Sequence, residues 1–254
     1  MSFRLALWLC TALAAAFVLV PVAAVMLGAG GSVLSVLSGD AVAAVKLSLL
    51  TATLATLLVA VLGTPVAYLL ARSRLRLLET ALNLPLVLPP AVAGIALLAA
   101  FGREGIVGRH LAEVGISLPF TTAAVVVAQS FVALPLYVRS AKAGFAEVSR
   151  SLEGVAYTLG ANELSTFLRV TLPLARQSIL AGTVLSWARA IGEFGATIMF
   201  AGNFAGRTQT MPLAVYSALQ VSMQGALAMS ALLVLLSIGV LLTFEAVSRG
   251  RVNA

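Results

Sequence analysis

Residues 47–71, LSLLTATLATLLVAVLGTPVAYLLA, contain no charged side chain. As an α-helix this stretch is about 37 Å long, because each helical residue adds about 1.5 Å. The hydrocarbon core of a bilayer is about 30 Å thick, so the stretch is long enough to cross it. An uninterrupted apolar run of this length predicts a transmembrane helix, and it decides the fold class of the chain.

Five further stretches have the same character. Three of them carry no charge, and a fourth is interrupted only by Arg189 and Glu193. The predicted spans are residues 5–27, 47–71, 80–102, 114–138, 177–202 and 225–247. We therefore expect an all-α integral membrane protein with six transmembrane helices and a single domain, residues 1–254. Residues 211–224 are also uncharged, but we expect there a short interfacial or re-entrant helix with Thr210 as its N-cap and Pro212 in its first turn.

The composition agrees with a membrane location, since 61% of the residues are hydrophobic and only 10% are charged. A net charge of +7 can indicate a nucleic-acid partner, but these basic residues lie between apolar runs and not on one solvated face. We expect the lipid bilayer as the environment and no nucleic acid. Arg4 and the run after it could be a cleaved signal peptide, but residues 5–27 are longer than the apolar part of most signal peptides and predict a span.

The basic residues predict the orientation. With six spans and both termini inside, the outer loops hold only Lys46, Arg103, Arg109 and Arg207. The inner segments hold eleven basic residues, namely Arg4, Arg72, Arg74, Arg76, Arg139, Lys142, Arg150, Arg169, Arg176, Arg249 and Arg251. Basic loops remain on the cytoplasmic side of a membrane, so we expect the N-terminus and the C-terminus in the cytoplasm.

The longest inner segment contains SRSLEGVAYTLGANELSTFLRVTLPLAR, residues 149–176. Apolar residues at helical spacing share one face, and they are Leu152, Val155, Ala156 and Leu159. Gly160 follows them at the position of a C-capping glycine, and Asn162 can cap a second short helix. We expect that second helix to end at Thr171, because Pro173 disfavours helical backbone before it. Two short amphipathic helices are thus predicted in a loop of about residues 145–173.

This segment resembles the cytoplasmic loop of bacterial and archaeal binding-protein-dependent ABC importer permeases. The pattern of that family is Glu-Ala-Ala, three residues, Gly, nine residues, an aliphatic residue, any residue, then Leu-Pro. The residues that match in type and spacing are Gly160, Val170, Leu172 and Pro173. The acidic start departs from the pattern, because Gly154 and Val155 stand at the Glu and first Ala positions and Glu153 comes one residue earlier. Which residue makes the acidic contact with the ATPase is therefore open.

Two longer stretches resemble molybdate and tungstate permeases, with sulfate permeases next. They are LPLVLPPAVAGIALLAAFGREGIVGR (84–109) with FVALPLYVRSAKAGF (131–145), and ARAIGEFGATIMFAGNFAGRTQTMPLAVYSALQ (188–220). The resemblance implies a type I ABC importer architecture in a prokaryotic plasma (inner) membrane. It implies a homodimer, two cytoplasmic ABC ATPase subunits that carry ATP and Mg, and an extracytoplasmic oxyanion-binding protein.

The resemblance also assigns roles within the loop. The first loop helix is expected to be a coupling helix that inserts into the ATPase, with Gly160 as its stop. The residues expected to couple to the ATPase are Leu152, Glu153, Gly154, Val155, Ala156, Leu159, Gly160, Ala161, Leu172 and Pro173. For Glu153 we expect a surface contact of about 1 kcal/mol or less.

Arg189 and Glu193 are four residues apart on the fifth span, so they lie on one helical face and can pair. A charge facing lipid at the bilayer centre costs about 3 kcal/mol, so both side chains should face protein or water. Two interpretations stay open: a pair that lines the pathway and attracts a dianion, or an ion pair that holds helices or subunits together. The other pathway candidates are Pro89 and Pro90, where we expect a kink, together with Ser130 and Thr183.

The chain lacks the Gly-Lys pair of a phosphate-binding P-loop, because its only lysines, Lys46 and Lys142, follow Val45 and Ala141. We therefore expect no cofactor, no metal and no ATP hydrolysis in this chain itself. The leading hypothesis is a permease subunit for molybdate or tungstate that works by alternating access. The alternatives are a sulfate or thiosulfate ABC permease and, from other classes, an ion-coupled secondary transporter or an intramembrane enzyme.

Overall fold

The computed structural model describes residues 3–35 and 39–250, where the chain is helical and contains no strand. In chain order the helices are α1 (Phe3–Ala29), α2 (Ser32–Ser35), α3 (Gly39–Arg72), α4 (Arg76–Val87), α5 (Pro90–Phe101), α6 (Gly108–Glu113), α7 (Thr122–Glu147), α8 (Arg150–Thr158), α9 (Glu163–Thr166), a π-helical turn (Phe167–Thr171), α10 (Leu172–Leu174), α11 (Arg176–Ile191), α12 (Gly195–Ala201), α13 (Met211–Val221) and α14 (Met223–Gly250). Arg251 lies outside the described residues.

Within the described part of the chain, four helices are long and apolar enough to cross a membrane: α1, α3, α7 and α14. The bent pair α4 and α5 supplies a fifth apolar segment. The predicted fifth span, residues 177–202, is divided between α11 and α12, with 16 and 7 residues. The all-α membrane fold is confirmed.

The chain forms two compact units, Met1–Val45 with Gln209–Ala254, and Lys46–Thr208. The single domain of residues 1–254 stays a prediction. In the first unit, α14 packs against α1, α2 and α13. The buried apolar residues of its core are Ala41, Ala44, Met211, Ala214 and Met229.

The Gln224 side chain caps the C-terminal end of α1 in this first unit. Its amide nitrogen lies 3.1 Å from the carbonyl oxygen of Gly28 and 3.3 Å from that of Ala29. These carbonyls have no partner inside their own helix, so the amide satisfies acceptors that would otherwise need water. The short helix predicted after Thr210 forms as α13, but the Thr210 hydroxyl makes no capping bond and is buried without a partner among the described residues.

In the second unit, α7 packs against α4, α11 and α12. Small residues allow a close approach of α7 to α11, because a Cβ at Gly182 would lie 3.0 Å from Cβ of Ser140, and one at Gly144 would collide with Ser178. The fully or nearly buried core residues are Ala93, Leu97, Ala124, Val125, Ala128, Val132, Ala196, Phe200 and Ala201.

The predicted span of residues 80–102 is not one continuous helix. The axes of α4 and α5 are bent by 118° instead, at Leu88 and Pro89. Leu88 is extended, with ψ of 133°, as the residue before a proline prefers. The kink at Pro89 and Pro90 was thus predicted at the right place, but the apolar composition of residues 80–102 did not reveal its size.

The start predicted for the fourth span was also wrong. Helix α7 begins at Thr122 and not near residue 114, because the Thr121 side chain caps it by accepting a hydrogen bond from the Ala124 amide at 3.2 Å. Phe120 just before it has a φ of 62°, which no helix continues. An uncharged segment therefore contains a turn as well as a helix.

Candidate functional site

Helix α8 ends as the loop pattern predicts. The Gly160 amide donates to the Tyr157 carbonyl at 3.0 Å, and the Ala161 amide donates to the Ala156 carbonyl at 3.0 Å. These two bonds form a Schellman motif, in which the first residue after the C-cap has a left-handed backbone. Gly160 supplies it with a φ of +84°. The prediction that Gly160 stops this helix is confirmed.

The second loop helix begins as predicted but ends differently. The Asn162 side chain accepts a hydrogen bond from the Ser165 amide at 2.8 Å and caps α9. Thr171 was expected to leave the helical region, but its φ of −69° and ψ of −48° are helical. The chain continues through a π-helical turn in which the Leu172 amide donates to the Phe167 carbonyl. The wider turn lets Pro173 join the helix without breaking it.

The predicted coupling face is exposed. Leu152 and Val155 on α8, Leu159 at its C-cap and Leu164 on α9 are apolar and solvent-accessible, with Leu159 82% exposed. The small residues of the face, Ala156 and Ala161, are half-buried. Exposed apolar side chains that lie together on a loop indicate a surface for a protein partner.

Glu153 does not belong to that surface, and the expectation of a surface contact was wrong. Its side chain is only 8% exposed and forms an ion pair with Arg72, with 2.6 Å between Nη2 and Oε1. The Thr171 hydroxyl donates to the same Oε1 at 2.8 Å. A carboxylate on the inner side of a short helix needs such partners, because an unpaired buried charge is costly.

Arg72 is the residue that the sequence analysis missed, since it was counted only as a sign of orientation. It is the last residue of α3, and its Nη2 also donates to the Val148 carbonyl at 3.3 Å. Its own carbonyl accepts a hydrogen bond from Arg150 at 3.2 Å. The guanidinium lies 5.7 Å from the centre of the Tyr68 ring, within the range of a cation–π contact.

Aromatic side chains pack beside this ion pair. Tyr68, Phe145 and Phe167 form a cluster whose ring centres are 4.9 to 5.9 Å apart. They come from α3, α7 and the π-helical turn. The loop is thereby joined to two long helices by both polar and apolar contacts.

The second candidate site lies at the break between α11 and α12. Arg189 Nη1 and Glu193 Oε2 are 2.6 Å apart, so the predicted pairing is confirmed. Glu193 Oε1 accepts a hydrogen bond from the Ala196 amide at 2.8 Å and so caps the start of α12. The Glu193 side chain is 1% exposed, whereas 35% of the Arg189 side chain is accessible. Glu193 is therefore held on both oxygens, and Arg189 keeps an accessible positive edge.

The two helix breaks come together. A Cβ at Gly195 would collide with Pro90, and one at Gly94 would lie 2.8 Å from the Ala196 carbonyl oxygen. Helices α5 and α12 therefore approach backbone to backbone, and glycine is required at the contact. Pro89 and Pro90 are thus placed close to the segment that holds Glu193.

Ser130 and Thr183 use their hydroxyl groups elsewhere. Ser130 Oγ donates to the Ala55 carbonyl at 3.4 Å and borders an apolar groove of about 200 Å³. Thr183 Oγ1 donates to the Ile179 carbonyl of its own helix at 2.8 Å. Neither hydroxyl bonds to the Arg189–Glu193 pair. A polar side chain that the sequence analysis overlooked is Gln129, which is fully buried in α7 with both amide atoms unpartnered among the described residues.

The long apolar helices and the broken spans are those of an integral membrane protein. Residues 60–252 match the family described as "Binding-protein-dependent transport system inner membrane component". The chain belongs to that family.

Individual proteins agree with the family match. The chain is 37% identical over 238 residues to "Probable transport system permease protein NifC" of Clostridium pasteurianum, which covers 91% of this chain and 83% of that protein. It is 49% identical over 197 residues to "Molybdenum transport system permease protein ModB" of Mycobacterium tuberculosis, with 76% of this chain and 75% of that protein covered. A bacterial ABC transporter that imports alginate shares its fold with a TM-score of 0.76 at 15% identity, over 97% of this chain and 94% of that one.

Proposed function

We propose that this chain is the membrane-spanning permease subunit of an ATP-driven importer for an oxyanion, most specifically molybdate or tungstate. The observation that carries the proposal is the loop helix α8, which ends in a Schellman motif at Gly160 and exposes apolar side chains. The names of the relatives add the substrate class, because proteins 49% identical to this chain are called molybdenum transport permeases. Two copies of the chain form the pathway.

In this proposal both termini lie in the cytoplasm. The support is the distribution of basic residues, which favours the cytoplasmic side for α8 and Gly160 and the outer side for Arg103, Arg109 and Arg207. Lys142 at the inner end of α7 pairs with Glu79 on α4, so the two residues lie at the same depth relative to the membrane in this proposal. An extracytoplasmic binding protein then delivers the oxyanion from the side of Arg207.

Energy comes from two copies of a separate cytoplasmic ATPase, which hold ATP and Mg. Helix α8 inserts into a cleft of the ATPase with Leu152, Val155 and Leu159 against it, so that closure of the ATPases moves the permease. Burying apolar side chains of this size contributes about 1.5–3 kcal/mol each when they are fully covered. The exposed Leu159 is the largest single contributor expected at this contact.

The oxyanion passes the junction of the two helix breaks. Arg189 lends positive potential there, because Glu193 neutralises it only in part and leaves one edge of the guanidinium accessible. Broken membrane helices are a common means of lining a substrate path with polar groups. Of the two roles that the sequence left open, Glu193 has the structural one, which is to hold the helices together. Arg189 has this role and also lines the pathway.

The alternative of an ion-coupled secondary transporter has little support. Such a transporter needs an acid that binds and releases a proton or cation inside the membrane. Glu193 is the acid deep in a span, and both of its oxygens are already engaged by Arg189 and the Ala196 amide.

The test is uptake in cells that lack their own molybdate importer. Cells that express the chain with its ATPase and binding protein should accumulate molybdate from nanomolar medium, and a tenfold excess of tungstate should compete. Competition by sulfate at the same excess, with none by tungstate, would assign the chain to sulfate transport instead.

A further inference from the structure

We propose that Glu153 is a positioning residue which joins the coupling helix to the membrane helices, and that it makes no contact with the ATPase. The inference rests on the proposed function, since it concerns how motion of the ATPase reaches the permease. Its structural basis is the trio of Arg72, Glu153 and Thr171, which we call the loop joint.

The loop joint connects segments that are distant in sequence. One carboxylate oxygen of Glu153 accepts from Arg72 at 2.6 Å and from Thr171 at 2.8 Å. Arg72 ends α3, Glu153 lies in the first turn of α8, and Thr171 ends the π-helical turn. The guanidinium of Arg72 also binds the Val148 carbonyl at the end of α7. Glu153 therefore joins α8 to α3 and to the π-helical turn, and Arg72 extends the connection to the end of α7.

Burial favours a mechanical role over a docking role. The Glu153 side chain is 8% exposed and that of Arg72 is 16% exposed, so a partner protein can reach little of either. The exposed members of α8 lie on its other face, with Leu152 47% and Val155 57% accessible. Helix α8 thus presents apolar groups outward and its acid inward. A displacement of α8 has to move Arg72 and Thr171 or break their bonds.

The direction of transmission follows from what lies beyond the joint. Thr171 leads through α10 into α11, whose last turn carries Arg189 and which is followed by Glu193. Arg72 ends α3, and α3 also contributes Tyr68 to the aromatic cluster that holds Phe167 of the π-helical turn. A π-helical turn is an irregularity within a helix, and such turns are frequent at functional sites. The joint is therefore placed to pass a movement of α8 to both α3 and α11.

The experiment separates positioning from docking. Glu153→Gln keeps the shape of the side chain but removes the charge that Arg72 requires. We expect the purified complex to retain its ATPase subunits within about twofold of wild type, while oxyanion taken up per ATP hydrolysed falls by roughly tenfold, as for loss of a hydrogen bond to a charged group. Glu163→Gln is the matched control, because Glu163 is an exposed acid of the same loop without an ion-pair partner in the described part of the chain, and it should leave both quantities unchanged.

A second pair of variants keeps the test decisive if Glu153→Gln does not fold. Thr171→Val removes the hydroxyl and keeps nearly the same side-chain volume, whereas Thr171→Ser keeps the hydroxyl and removes a methyl group. Uptake per ATP should fall in Thr171→Val and be largely retained in Thr171→Ser. The charge exchange Arg72→Glu with Glu153→Arg should recover part of the coupling that either single change loses.

Two results would overturn the proposal. Loss of ATPase subunits from the Glu153→Gln complex in proportion to the loss of uptake would make Glu153 a docking residue. Unchanged uptake per ATP in both Glu153→Gln and Thr171→Val would remove any role in coupling. Failure of the wild-type complex to transport any oxyanion contradicts the proposed function itself, and is distinguished by the wild-type measurement alone.

Discussion

Substituting Gly160 with alanine tests the coupling helix through the backbone alone. The φ of +84° at Gly160 lies in the left-handed region, where a residue with a Cβ is about 1–2 kcal/mol less stable than in the right-handed region. A Cβ at this position meets no heavy atom within 4 Å, so Gly160→Ala causes no steric collision. The expected loss is therefore about 1 kcal/mol, which is roughly a fivefold change in the equilibrium between the capped and the frayed end of α8.

Gly154 provides a matched control on the same helix. A Cβ at Gly154 also meets no heavy atom within 4 Å, and its φ is not positive. Gly154 lies inside α8, where alanine is more stable than glycine by about 1 kcal/mol. The same chemical change is thus predicted to destabilise the coupling helix at Gly160 and to stabilise it at Gly154.

The assay is a titration of each purified variant with the ATPase. Gly160→Ala should raise the dissociation constant by up to about fivefold, because only the formed helix binds, and Gly160→Val should raise it further. Gly154→Ala should leave it unchanged or lower it. Thermal unfolding of the membrane helices should be the same in all three variants. Equal affinities for Gly160→Ala and Gly154→Ala would refute the backbone argument.

Further predictions concern the ion pair, the docking face and the orientation. Arg189→Ala alone should reduce uptake and the yield of assembled complex more than Arg189→Ala combined with Glu193→Ala, because a lone buried carboxylate costs more than no charge. Additive losses in the double variant would contradict the coupling of the pair. Leu159→Asp should abolish capture of the ATPase without changing the melting temperature of the permease; retained capture would move the docking surface away from α8. In a Cys10→Ser background, a cysteine at Arg76 should be labelled only from the cytoplasm and one at Arg207 only from outside, and the reverse pattern would invert the proposed topology.

The sequence sufficed for features that depend on local rules. The charge-free run of residues 47–71 lies within α3, and the C-cap at Gly160 and the N-cap at Asn162 form as predicted. Each of these follows from the preferences of one or a few residues for a helix or its ends. The Arg189–Glu193 pair was also predicted from its four-residue spacing, although Glu193 lies in the break after α11 and not on the helix itself.

The features that sequence analysis missed depend on contacts between distant segments. Glu153 was expected at the surface, and nothing near it in the sequence indicates Arg72, which lies 81 positions away. The 118° bend at Pro89 could not be predicted from the sequence either, because it also depends on contacts between distant segments. Prolines indicate where a helix can bend, but the angle is set by packing, here by Gly195 and Gly94 at the contact of α5 with α12. The helical backbone at Thr171 required a π-helical turn, for which no sequence pattern is diagnostic.

The most direct test of the proposed function is transport by the purified components in proteoliposomes. The chain is reconstituted with the ATPase that co-purifies with it, ATP and Mg are enclosed on the ATPase side, and molybdate is supplied with the binding protein on the other side. We expect accumulation of molybdate against its gradient that requires the ATPase, ATP and the binding protein together. Accumulation by the chain alone, driven by an ion gradient and without ATPase, would contradict the account.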